Sequence, residues 1–214
     1  MSQVTVLLTL LAVHFGGWAV ITIEDLPDQV VVGQPVTLTF AVRQHGRTLI
    51  SGLNPRVEAK GGGQTVRAAA GPATGTGRYA ASLTLPNAGA WAITVYSGFG
   101  PSNVTLLPLP AVNPGRAPAE PALATRGQRL FVAKGCLTCH VHDAVPASGM
   151  VKVGPDLSGR RYASEYLQRF LADPSIATTR GAGGEEMPNL NLAPREIAAL
   201  AAFINGERAM QAGE

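Results

Sequence analysis

The sequence predicts two domains of different class, an all-β sandwich in the first half and an all-α domain in the second. Three observations carry this. Between Trp18 and Leu109, short segments rich in β-branched and aromatic residues alternate with glycine, proline and asparagine turns. From Pro108 to Pro121, five prolines in fourteen residues exclude a helix or a central strand. Beyond them, Cys136-Leu-Thr-Cys139-His140 lies between two segments whose apolar residues recur at helical spacing.

A chain of 214 residues has room for one large domain or two small ones. Seventeen Lys and Arg against fourteen Asp and Glu give a net charge of only +3, without a basic cluster, so nucleic acid is not an expected partner. Residues 1–17 read as a signal peptide or anchor. Val4 to Val13 is an apolar run of the length of a signal core, but no basic residue precedes it, because the first Lys or Arg is Arg43. Stretching the run to Ile23 to make a membrane span would take in His14, Gly16 and Gly17. A cleaved signal, cut between Ala12 and Gly17, is therefore favoured over a retained anchor. The expected location is the periplasm or the outer face of the cytoplasmic membrane, with membrane association through the N-terminus or a complex left open.

Residues 18–109 hold the expected strands: Ala19–Ile23, Pro35–Arg43, Arg56–Ala59, Thr65–Ala69, Arg78–Leu85, Ala90–Tyr96 and Val104–Leu107. Val36, Leu38, Phe40 and Val42 alternate with Thr37, Thr39, Ala41 and Arg43, as in a half-buried strand. Gly61-Gly62-Gly63 is placed to turn a hairpin. Pro86-Asn87-Ala88-Gly89 should close a second one, between the fifth and sixth segments. Seven strands in some ninety residues is the size of an immunoglobulin-like sandwich. Trp91 belongs in its core.

The stretches Leu85-Pro-Asn-Ala-Gly-Ala-Trp91 and Gly77-Arg-Tyr-Ala-Ala-Ser-Leu83 resemble those of small exported immunoglobulin-like modules of the YtkA type. That resemblance implies a fold and an exported setting but no activity. The histidines of this half are His14 and His45. Were cleavage to leave His14 at the N-terminus, its amine and imidazole, with His45 as a third donor, would suit copper. Two unrelated surface histidines are the simpler reading.

Residues 110–121 read as a semi-extended proline-rich linker, able to span roughly 40 Å at about 3.1 Å per residue. Such a linker lets the halves move independently, or lies fixed across both.

The spacing Cys136-x-x-Cys139-His140 is that of c-type haem attachment: two thiols for the porphyrin vinyl groups and an imidazole for the iron. A zinc site would need two further ligands, and the chain has no other cysteine. A thioredoxin-like motif would sit in a βαβ unit, whereas here the pattern is helical upstream and loop-like downstream. A disulfide would leave the adjoining histidine to coincidence. Downstream, Met187-Pro188 offers a soft thioether suited to the sixth position of iron. A His140/Met187 pair suits electron transfer and leaves no open site for a substrate.

The motifs from Ala122 to Gly206 resemble, in order, those of the class I cytochrome c fold, with the haem domain spanning 122–208. Leu123, Gly127, Leu130, Phe131 and Lys134 share a helical face, and Gly135 stops that helix. Pro194 and Glu196 open the last helix, where Ile197, Leu200, Ala201 and Ile204 repeat at helical spacing. The resemblance implies that these two helices cross, with Gly127 permitting close approach and Phe131 and Phe203 packing beside it. Gly154-Pro155-Asp156-Leu157 is similar to the family's Gly-Pro-x-Leu. It implies that the Pro155 carbonyl accepts the N–H of His140 and that Leu157 walls the pocket. Ser164 is placed to cap a third helix bearing Tyr166, Leu167, Phe170 and Leu171, stopped by Asp173-Pro174. Gly181 to Gly184 leads into the methionine loop.

Among competing sixth ligands, Met150 is still on the proximal side, Met210 falls past the last helix, and His142 is two residues from His140. Arg160, Arg161 and Arg180 are either surface residues or partners for haem propionates. Eleven basic against ten acidic residues over 111–214 leave no single-sign ring to steer a partner. The expectation is one covalent haem c and an electron carrier, not an enzyme in itself, whose donor and acceptor are other redox proteins. The alternatives are a haem sensor or peroxidase-like protein with a labile Met187, and a copper or assembly module tethered to a haem domain.

Overall fold

The structure, a computed structural model, describes residues 17–117, 120–146, 151, 153–177 and 186–206. Eleven strands form the first half: β1 Ala19–Ile23, β2 Val30–Val31, β3 Pro35–Gln44, β4 Thr48–Leu49, β5 Arg56–Gly61, β6 Gln64–Ala69, β7 Gly71–Pro72, β8 Arg78–Thr84, β9 Gly89–Tyr96, β10 Asn103–Thr105 and β11 Leu109–Val112. All seven expected strands are present, Ala19–Ile23 with the expected bounds and the other six with ends shifted by one or two residues. Four are new, and three of these are two residues long, too short to show any alternation.

The strands make two sheets. One runs β1-β3-β8-β7 with β4 on β3; the other runs β2-β11-β9-β5-β6 with β10 on β9. Between them lie Leu38, Phe40, Val42, Tyr79, Leu83, Trp91, Ile93 and Val95, all buried. Trp91 is fully enclosed and its Nε1–H donates to the Asn87 carbonyl at 3.0 Å. Replacing it with alanine should cost about 3–5 kcal/mol of sandwich stability, measurable by urea unfolding followed by circular dichroism.

Gly62 and Gly63, at φ +55° and +73°, turn the β5–β6 hairpin, in which Gly61 faces Gln64. The second expected hairpin does not exist. β8 pairs with β3 and β7, β9 with β5, β10 and β11, so Pro86–Gly89 carries the chain from one sheet to the other. Leu85 decides this: its side chain is buried at the corner, and its carbonyl accepts the N–H of Gly33 at 3.0 Å.

β11 also departs from expectation, because the proline density assigns Pro110 onward to the linker. Pro110 faces Ala90 of β9, while β2 pairs only with the following Ala111 and Val112. A residue without N–H is tolerated where the ladder has one neighbour. The connector therefore begins after Val112.

The second half is helical where it is regular: α1 Leu123–Ala133, α2 Cys136–Cys139, α3 Ser164–Ala172 and α4 Pro194–Ile204, with a 3-10 turn at Pro174–Ile176. α1 and α4 cross as expected at Gly127, where an added Cβ would lie 1.9 Å from the Ala199 carbonyl oxygen. Phe131 meets Phe203 edge-on at 5.5 Å. Leu123 departs from the buried face and is 55% exposed. Ser164 is the first helical residue of α3 and not its cap. That helix ends as expected at Asp173, whose carboxylate accepts the Ser175 N–H at 3.1 Å and hydroxyl at 2.7 Å. Among the described residues no helix is long and apolar enough to cross a membrane.

Candidate haem site

α1 delivers the chain to the cysteines through Lys134 and Gly135. Gly135 stands at φ +78°, a left-handed conformation that reverses the chain before Cys136. Cys136 to Cys139 then forms one short helical turn, and His140 leaves it in extended conformation at φ −109° and ψ 142°. Both cysteines are half-buried. Loss of water, and to a lesser degree the neighbouring Cys139, pushes the Cys136 thiol up to about 12.

The loop after His140 folds back on this turn. Val151 N–H donates to the Thr138 carbonyl at 2.8 Å, Gly154 N–H to the Cys139 carbonyl at 2.9 Å, and Leu157 N–H to the Val141 carbonyl at 2.9 Å. Val141 and Asp156 form a single parallel bridge. These bonds bring the Pro155 carbonyl 3.0 Å from Nδ1 of His140. A carbonyl can only accept, so Nδ1 carries the proton and Nε2 is the free donor. Burial lowers the His140 pKa, and the Pro155 bond partly opposes this. Both the tautomer and the neutral charge are those a metal requires.

Gly154 completes the seat. A Cβ there would lie 2.5 Å from both Cε1 and Nδ1 of His140, so the ring rests flat against the glycine backbone. Leu157 is buried in the same core. Met187 packs half-buried against that core from the segment preceding α4. The structure thus joins His140 to Pro155 and sets Leu157 beside them, while Met187 arrives on a separate stretch of chain. Met150, Arg180, Gly181–Gly184 and Met210 lie outside the described residues, as does His14.

The remaining candidates have other occupations. His142 stacks on Phe203 at 4.3 Å and meets Phe131 edge-on at 5.8 Å, and its Nδ1 accepts the Ala144 N–H at 3.2 Å. It is a member of the aromatic cluster at the helix crossing, a role its position beside His140 does not suggest. Arg160 Nε donates to the Asp156 carbonyl at 2.6 Å, and Arg161 holds the Asn205 carbonyl at the end of α4. His45 is exposed, its ring 5.6 Å from that of Trp18. Among the described residues, no group of three or more His, Cys, Asp or Glu side chains is placed to hold a metal ion.

The donor set fits a covalent haem: two thiols on one turn, an adjoining imidazole with the correct tautomer, and a glycine that leaves its ring room. A helical domain built around such a segment defines a c-type haem-binding class. In agreement, the family model for Cytochrome c matches residues 124–206, so the C-terminal part is similar to cytochrome c and lies behind a β-rich N-terminal region of two sheets. Comparison with curated proteins finds no match. The family carries haem and transfers electrons, in keeping with a carrier rather than an enzyme.

Proposed function

We propose that the chain is an exported one-electron carrier that holds a single c-type haem through Cys136 and Cys139, with His140 and Met187 as axial ligands. The observation that carries this is the His140 Nδ1–Pro155 carbonyl bond of 3.0 Å within the Cys-x-x-Cys-His turn. It fixes ring and tautomer together, and a polarised N–H makes Nε2 the stronger donor. The haem supplies a ferric/ferrous couple when bound. This chain's residues supply the rest: Leu157 and the aromatic cluster keep water out, and the thioether of Met187 favours the ferrous state. We read the helical part as an all-α class I domain and the two sheets as an immunoglobulin-like sandwich. The apolar N-terminal run supports export, and a periplasmic location follows from where thioether attachment takes place. The partners are two redox proteins met through small, weak contacts.

The ligand assignment is tested on full-length ferric protein at neutral pH. The weak near-infrared band of methionine-to-iron charge transfer should be present, lost in Met187→Ala, and retained in Met150→Ala and Met210→Ala. Its absence from the unaltered protein would favour the sensor or peroxidase-like reading.

A further inference from the structure

A proline-rich connector suggests two halves free to swing, but the described residues on either side of it are in direct contact. An added Cβ on Gly135 would lie 2.4 Å from Cγ1 of Val20 and 2.7 Å from the Ile21 carbonyl oxygen. The backbone that leads into Cys136 therefore rests on strand β1. The preceding residue is tied to the same strand. Thr22, 3% exposed, donates from Oγ1 to the Lys134 carbonyl at 3.4 Å and accepts from Arg43 at 3.0 Å. The Lys134 ammonium, its side chain 5% exposed, donates to the Glu24 carbonyl at 2.6 Å and pairs with Glu196 of α4 at 2.7 Å. Earlier on α1, Arg129 donates to the Asp28 carbonyl at 3.1 Å, and Arg126 pairs with the Asp28 carboxylate.

The segment leaving β1 thus accepts three cations from α1 and its C-cap: the Asp28 carboxylate pairs with Arg126, and the backbone carbonyls of Asp28 and Glu24 accept from Arg129 and Lys134, while the Glu24 carboxylate pairs with Arg78 inside the sandwich at 2.9 Å. A buried ammonium is tolerated only while paired and hydrogen-bonded. Lys134 has its pair on α4 and its carbonyl acceptor on the sandwich, so separating the halves strips it of one of the two. Gly135 would lose its seat in the same movement.

We infer that the sandwich is a brace for the haem-attachment turn, with Thr22 and Asp28 as positioning residues that act through Lys134, Gly135 and α1. The inference rests on the reading of Cys136, Cys139 and His140 as the haem site. A brace of this kind makes the two halves one rigid body. It also shields the start of the turn, so that loosening it admits water, which favours the ferric state and lowers the reduction potential.

The test uses full-length protein produced with a cytochrome-maturation system. Amide relaxation should give residues of both halves one common tumbling time, and redox titration gives the reference potential. Thr22→Val/Asp28→Asn, both changes on the sandwich, should split the tumbling into two components and lower the potential. Asp28→Glu, which keeps the charge, should stay near the unaltered protein in both. Thr105→Val, exposed on the second sheet, should change neither. Separate tumbling in the unaltered, pigmented chain, or wild-type tumbling and potential in the double variant, overturns the brace while leaving the haem site intact. A colourless chain that tumbles as one body overturns the haem reading, and the positioning role with it.

Discussion

Gly127→Ala will destabilise the haem domain by about 3 kcal/mol or more, at or beyond the upper end of what overpacking usually costs. The added methyl would sit 1.9 Å from the Ala199 carbonyl oxygen, 2.6 Å from its carbonyl carbon and 2.7 Å from Cβ of Phe203. Two of these are backbone atoms and none belongs to a flexible side-chain end, so relief requires α1 and α4 to separate. The aromatic cluster of Phe131, His142 and Phe203 then loses its packing. Urea unfolding followed at a helical circular dichroism wavelength measures the loss. Alanine has the higher helix propensity, so an exposed glycine would gain from this change. An unchanged midpoint would mean that the helices do not cross at Gly127.

Gly154→Ala will disturb the site with less effect on the fold. Its methyl, 2.5 Å from the His140 ring, forces the imidazole off the glycine and away from the Pro155 carbonyl. The lost hydrogen bond is worth about 1 kcal/mol in stability. The larger consequence is for the iron ligand, since the partner that orients a metal-bound histidine also sets its ring orientation and its basicity toward the metal. The holoprotein should show an altered Soret band and a shifted reduction potential, with the sandwich unaffected. Wild-type spectrum and potential would remove His140 from the role given to it.

The contrast between these glycines and other residues shows what local pattern carries. Cys136, Cys139 and His140 are adjacent, and Pro155 follows in a recognisable tetrapeptide, so the site is legible along the chain. β3 is legible because Leu38, Phe40 and Val42 alternate with smaller or polar neighbours and end up between the sheets, although Ala41 is buried as well. Sheet membership is not local. Nothing in Pro86–Gly89 distinguishes a hairpin from a crossing until Leu85 is seen buried at the corner. β11 is hidden because proline usually marks the absence of a strand, and here a short β2 makes Pro110 acceptable. Lys134 looks like a charged exception on an apolar helix face. Its meaning lies in Glu196 and in the Glu24 carbonyl, residues more than fifty positions away in each direction. The same holds for His142, whose partner Phe203 arrives only with α4.

The central claim, that Cys136 and Cys139 carry a covalent haem under His140, is met most directly by intact mass under denaturing conditions. The full-length protein should be co-produced with a cytochrome-maturation system and paired with its Cys136→Ser/Cys139→Ser variant. The account predicts a red protein whose mass exceeds that of the polypeptide by one haem, and a variant without that addition. A colourless protein at the bare polypeptide mass would contradict it.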